Sequence, residues 1–164
     1  MRPRVWFFLS TLSLAASFPQ VSSADGKSGC PVTKAPNPPF VPPAPYHADN
    51  ATGEFLYGTP ALWAVVVTNW HVPGGSKLPY FRQDFDATKE RDPRLSVVAR
   101  RLDGPDAMVW AGRANSGSGA ENIGKGFMVT GLEIPMVGCW EIAAHYSPAP
   151  NRIQTLTYTV WVEP

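Results

Sequence analysis

The stretch Gly138-Cys139-Trp140-Glu141-Ile142-Ala143-Ala144-His145-Tyr146, followed by Thr155-Leu156-Thr157-Tyr158-Thr159-Val160-Trp161-Val162, decides the fold class. In the first segment Trp140, Ile142, Ala144 and Tyr146 alternate with Cys139, Glu141, Ala143 and His145. In the second, Leu156, Tyr158, Val160 and Val162 alternate with Thr155, Thr157, Thr159 and Trp161. A period of two places one set on a single face of a strand. Threonine forms strands well and tolerates water, so the second segment reads as a strand with one wet face. Between the two, Ser147-Pro148-Ala149-Pro150-Asn151 supplies turn residues, and the whole predicts a terminal antiparallel hairpin.

Upstream the same period recurs. Gly126 to Ile134 reads as a strand ended by Pro135, and Leu62 to Val67, rich in valine and tryptophan, as a strand buried on both faces. Leu95 to Leu102 and Met108 to Ala114 are two further strands about the turn Asp103-Gly104-Pro105-Asp106. Leu78 to Phe85 is a short aromatic strand. Asp86 to Arg94 is a charged loop with room for one helical turn, and the glycine-rich 115–125 segment is a loop. No helix of ten or more residues is expected beyond the first segment of the chain. Short strands separated by proline and glycine turns predict an all-β chain, an immunoglobulin-like antiparallel β-sandwich, with a small closed barrel as the alternative.

The first 24 residues have a different character. Arg2 and Arg4 precede an apolar run from Val5 to Ala16, Pro19 breaks it, and Ser22-Ser23-Ala24 offers small residues for cleavage. This is the pattern of a signal peptide, and the run is shorter than the ~20 residues of a membrane-spanning helix. Residues 1–24 are therefore assigned to a signal peptide, 25–57 to an extended arm and 58–164 to the sandwich. An uncleaved anchor is the other reading of the leader. In the arm Pro31, Pro36, Pro38, Pro39, Pro42, Pro43 and Pro45 favour polyproline-II geometry, as a stiff linker or, less simply, a ligand for a partner domain. Loss of Arg2 and Arg4 turns the balance of 14 basic and 13 acidic side chains slightly negative, which gives no support to nucleic-acid binding. No later segment reaches membrane-spanning length. The expected location is secreted or periplasmic.

Two cysteines occur, Cys30 and Cys139. In an oxidising compartment one intramolecular bridge is expected, closing a loop of roughly 110 residues; free thiols or a shared metal site are the alternatives.

Cys30-Pro31-Val32-Thr33, the Gly58 to Val67 stretch, and Leu132-Glu133-Ile134-Pro135-Met136-Val137-Gly138-Cys139-Trp140-Glu141-Ile142 with the closing Leu156 to Val162 strand together resemble an uncharacterised family of secreted bacterial proteins. The resemblance implies an exported immunoglobulin-like domain with a Cys30–Cys139 bridge and carries no activity. More loosely, the proline-then-glycine pattern before an aromatic strand resembles immunoglobulin-like domains, periplasmic copper binders among them. Fold likeness of that kind does not carry function.

No G-x-S-x-G or comparable signature marks a nucleophile. Glu133 and Glu141 are the best carboxylate pair for glycosidic chemistry, placed on neighbouring strands. His47, His71 and His145, with Met108, Met128 and Met136, are the residues that could hold copper, although none forms a close ligand pair. Of the tryptophans after residue 24, Trp63 and Trp140 read as core, and Trp110 receives no role. Trp161 shares parity with the outward threonines, and Trp70 with His71 precedes the turn Pro73-Gly74-Gly75. Trp70, His71 and Trp161 are the candidate ligand platform, the competing role being to cap the core edge or cover the cystine. Asn50-Ala51-Thr52 matches a glycosylation acceptor and reads as coincidence. The sequence thus predicts a non-enzymatic exported binding or structural module, without cofactor, whose partner is a protein or a glycan. A copper-handling protein is the second reading and a secreted hydrolase the third.

Overall fold

In a computed structural model, residues 26–47, 51–72, 74–117 and 126–164 are described. Residues 1–24, expected to be a signal peptide, lie outside them. A 3-10 turn, Gly26–Gly29, is followed by ten strands: β1 Glu54–Thr59, β2 Leu62–Val67, β3 Trp70–His71, β4 Gly75–Phe81, β5 Leu95–Arg101, β6 Met108–Trp110, β7 Asn115–Gly117, β8 Phe127–Glu133, β9 Gly138–Ala149 and β10 Arg152–Glu163. They form two five-stranded sheets, ordered β1-β2-β4-β8-β7 and β3-β10-β9-β5-β6. The sheets stack as a sandwich rather than closing into a barrel. All strand pairs are antiparallel except β3 with β10, which run parallel.

The decisive hairpin forms in the register its alternation requires. Trp140 pairs with Val160, Ile142 with Tyr158 and Ala144 with Leu156. All six are buried, while Glu141, Ala143 and His145 face outward with Thr155 and Thr157. The opposing sheet contributes Leu62, Ala64 and Val66 from β2, Leu78 and Tyr80 from β4, and Met128 and Leu132 from β8. At the centre, the hydroxyls of Tyr80 and Tyr158 lie 3.3 Å apart and join the two sheets by a hydrogen bond. Such a buried polar pair is tolerated because each group satisfies the other. Among the described residues, no buried side-chain nitrogen or oxygen is without a partner.

Several elements depart from the expectation: β4 spans Gly75–Phe81 rather than Leu78 to Phe85, and β6 ends at Trp110 rather than Ala114 because the chain there crosses to the other sheet. β1 begins at Glu54, inside the segment assigned to the arm, and hairpins onto β2 across Pro60-Ala61. Gly58 has a φ of 138°, and a Cβ there would meet the carbonyl of Leu62, so the hairpin closes only on glycine. β3 is two residues long. β7 occupies Asn115–Gly117, the start of the expected loop, whose remaining residues lie outside the described set. In the charged loop, Glu90 N–H donates to the carbonyl of Asp86 at 3.0 Å, which is the single helical turn expected there.

The arm is a strap. At its start, Cys30 is bonded to Cys139, with Cα atoms 5.5 Å apart. Thr33 then extends the exposed edge of β10: its N–H donates to the carbonyl of Thr159 at 2.9 Å, and its hydroxyl accepts from Thr159 N–H at 2.8 Å. Farther on, Phe40 and Tyr46 cover the outer face of the other sheet, where Tyr46 meets Trp63 edge-on with ring centroids 5.1 Å apart. Trp63 also stacks on Phe81 at 5.8 Å. β2 is therefore buried on both sides, as its unbroken apolar run predicts, because the arm supplies the second cover.

Two outcomes follow from this packing. The double substitution Cys30→Ala with Cys139→Ala lowers unfolding free energy by ~2–5 kcal/mol in urea titrations, since the bridge closes a separation of 109 residues. Burial, followed by the neighbouring Tyr158, pushes the Tyr80 phenol up; burial also pushes up Tyr158, and burial with the Glu90 hydrogen bond pushes Tyr146 up to about 12. Their folded values exceed the unfolded value of about 10, so this stability is complete below pH ~10 and is lost as pH rises toward 12. Far-UV circular dichroism should show the fold lost over that window; a fold that persists unchanged above pH ~12 would contradict it.

Candidate functional site

Two concavities among the described residues gather chemistry-bearing side chains. The smaller, about 310 Å³, lies where the arm meets the β4–β5 loop and is lined by Tyr46, Arg82, Asp84, Asp86, Lys89 and Glu90, with two further residues. Most of its charges are spent on one another. Arg82 Nε donates to the Tyr146 hydroxyl at 2.9 Å, and that hydroxyl donates to the Glu90 carboxylate at 2.8 Å. The guanidinium also lies over the rings of Phe85 and Tyr146, 5.7 and 5.6 Å from their centroids. Asp86 accepts from the Thr88 N–H and hydroxyl and pairs with Lys89 at 3.5 Å; the Thr88 hydroxyl bond does most to hold the Asp86 carboxyl below the usual carboxylate range. This cluster fastens the loop to β9.

The larger, about 690 Å³, is a groove between the margins of the two sheets, a size usual for ligand sites. β6 is the last strand of its sheet, and the chain then crosses to β7 at the margin of the other. One main-chain bond, from Gly112 N–H to the Gly131 carbonyl at 2.9 Å, closes the narrow end. Beyond it β6 and β8 belong to different sheets and are not paired with each other. Trp110 stands at the groove with 66 % of its surface exposed, beside Met108 at 57 %. Trp110 sits opposite Val98, on the outer face of β5, while Val109 turns inward against the core. Glycines 112 and 131 leave the floor free of side chains, and a Cβ added at Gly131 would meet nothing within 4 Å. Lys77, opposite Gly131, and Glu133, opposite Gly75, flank the floor. Among the described residues neither takes part in an ion pair.

The groove also exposes main chain. Backbone groups of successive strand residues point alternately to the two sides. Ala111 N–H donates to Val97 on β5, whereas Gly112 N–H turns away from β5 to Gly131. Met108 and Trp110, in step with Gly112, therefore direct their N–H and C=O groups away from β5. Glu133, in step with Gly131, directs its own away from β4. β7 reaches only as far as Val129 along this side of β8. Among the described residues, no strand covers the stretch beyond.

The residues singled out from sequence fare differently. Cys30 and Cys139 are joined. Trp70 is a correction to the expected platform: it is 3 % exposed, with Nε1 donating to the Val67 carbonyl at 3.0 Å, because the parallel β3–β10 pairing turns its ring into the core. Trp161 is half-buried directly opposite Cys139, over the cystine. His71 is exposed, 3.3 Å from the carbonyl of Pro164. The three histidines do not converge. His71 pairs beside Glu163 and His145 beside Thr155, eight residues apart on β10 and so separated by about 27 Å, and His47 lies exposed in the arm. Among the described residues no three His, Cys, Asp or Glu side chains gather as a metal site would require. Glu133 and Glu141 lie in different sheets, the latter paired with Arg100 at 3.1 Å, so they are not the facing pair expected on neighbouring strands. Trp110 was the residue missed, and its signal was parity: with Val109 inward, Met108 and Trp110 must face out.

In a protein of residues 25–164, Trp110→Phe should remove the largest share of acrylamide-quenchable tryptophan fluorescence and leave the thermal midpoint unchanged. No protein-family model, no curated protein and no solved structure matches this chain.

Proposed function

We propose that the chain is an exported, non-enzymatic binding module, immunoglobulin-like in kind, whose ligand occupies the groove between β6 and β8. One observation carries this reading: the most exposed aromatic ring among the described residues stands beside a glycine-floored groove. Trp110 and the exposed Met108 beside it on β6 form an apolar patch, and such a patch at a groove is a mark of a contact surface. The signal-peptide pattern of residues 1–24 and the Cys30–Cys139 bridge support a site of action outside the cytoplasm, where disulfides persist. The separation of Glu133 from Glu141 supports binding over glycosidic catalysis, which needs two carboxylates flanking one bond. The spread of the three histidines leaves the copper reading without a set of ligands that meet.

The test is to present residues 25–164 to arrays of peptides and of oligosaccharides. Saturable binding is expected, weakened at least about tenfold by Trp110→Ala, as loss of one buried aromatic contact implies. The bound probe should be recovered chemically unchanged. Equal binding by Trp110→Ala would remove the groove from consideration.

A further inference from the structure

We infer that the groove takes an extended polypeptide segment of a partner protein, which pairs through its main chain with the open edges of β6 and β8. This rests on the proposal that the groove is the binding site and names its ligand class. The main-chain groups of Met108 and Trp110 on one wall, and of Glu133 on the other, point into the gap. On β6 the outward-directed groups of Met108 and Trp110 are two residues and about 6.8 Å apart, which is the repeat of another extended chain, and on β8 Glu133 adds one further set before the strand ends. A sugar ring has hydroxyls but no donor–acceptor series of that period. Peptides that add to exposed sheet edges gain affinity from such ladders and selectivity from pockets for alternate side chains.

The protein already does this once with its own chain. Thr33 of the arm lies along the edge of β10 and exchanges two hydrogen bonds with Thr159, one of them through its side chain. The groove margin differs in being open. Gly112 and Gly131 lack the side chains that would hold an incoming backbone off the floor. Trp110 offers an apolar surface to one residue of the segment, and Lys77 and Glu133 offer charges of both signs to its neighbours.

The experiment selects phage-displayed random peptides against immobilised residues 25–164, with Trp110→Ala as counter-selection. Selected peptides are then synthesised with single N-methylated residues. Main-chain pairing predicts that methylation at alternate positions weakens binding about tenfold or more, and that methylation at the intervening positions leaves it unchanged. Bound peptide should also slow amide hydrogen exchange at Trp110 and Glu133. Gly131→Ile places a branched side chain in open space within a strand, so it should fold normally and abolish binding. Peptides that bind through Trp110 but ignore the methylation pattern overturn the main-chain inference. Trp110-dependent binding of oligosaccharides with no selected peptide overturns it too, while leaving the groove as the binding site. Absence of any Trp110-dependent ligand in either class overturns both.

Discussion

Trp63 points out of the sandwich, and the architecture depends on keeping water from it. Its strand, β2, lies inside its sheet, so an exposed indole at that position would add a large apolar patch to the outer face. Phe40, Tyr46 and Phe81 close over it. Two of these three belong to the arm, which has no sheet of its own to hold it in place. Its anchorage comes from the far side of the molecule, through Cys30 to Cys139 and Thr33 to Thr159. The strap therefore couples the outer face of one sheet to an edge of the other. The disulfide does more than shorten the unfolded chain; it fixes the start of the segment that completes the second hydrophobic cluster.

How much of this could be read in the sequence depended on how much each element carried its own pattern. β2, β5, β9 and β10 alternate or run apolar over six or more residues, and the periodicity located them to within a few positions. β1 reads Glu-Phe-Leu-Tyr-Gly-Thr, with bulky residues on both faces and a glycine inside, and follows polar turn residues; it becomes a strand because β2 offers it an edge. β3 and β7 have two and three residues. Pairing partners distant in sequence define them, and no local window contains that information.

The site was less legible for the same reason. Trp70 and Trp161 looked exposed by neighbourhood and parity, yet a parallel strand pair turned one inward and the cystine sits beneath the other. Parity alone turns Trp110 outward, but that its ring borders a groove follows only from β6 ending its sheet. Likewise Glu133 and Glu141 are separated by a short connection that passes between sheets, so closeness in sequence became distance in space. Exposure at a sheet margin is a property of topology. It becomes readable only when the order of strands is known.

That order has a consequence for how the chain comes to be folded. β10, although last in sequence, is an inner strand flanked by β9 and β3, with the arm along part of its free edge. The first cysteine and the first strands are thus made long before the partners that complete them. As the chain emerges from its N-terminus, the hairpin of β1 and β2 can close locally. The second sheet lacks both β9 and β10, and with them the carbonyl that receives Thr33, until more than a hundred residues beyond Cys30 have appeared. Assembly by such non-local contacts is slow, because loop-closure entropy is lost before the contacts that reward it can form.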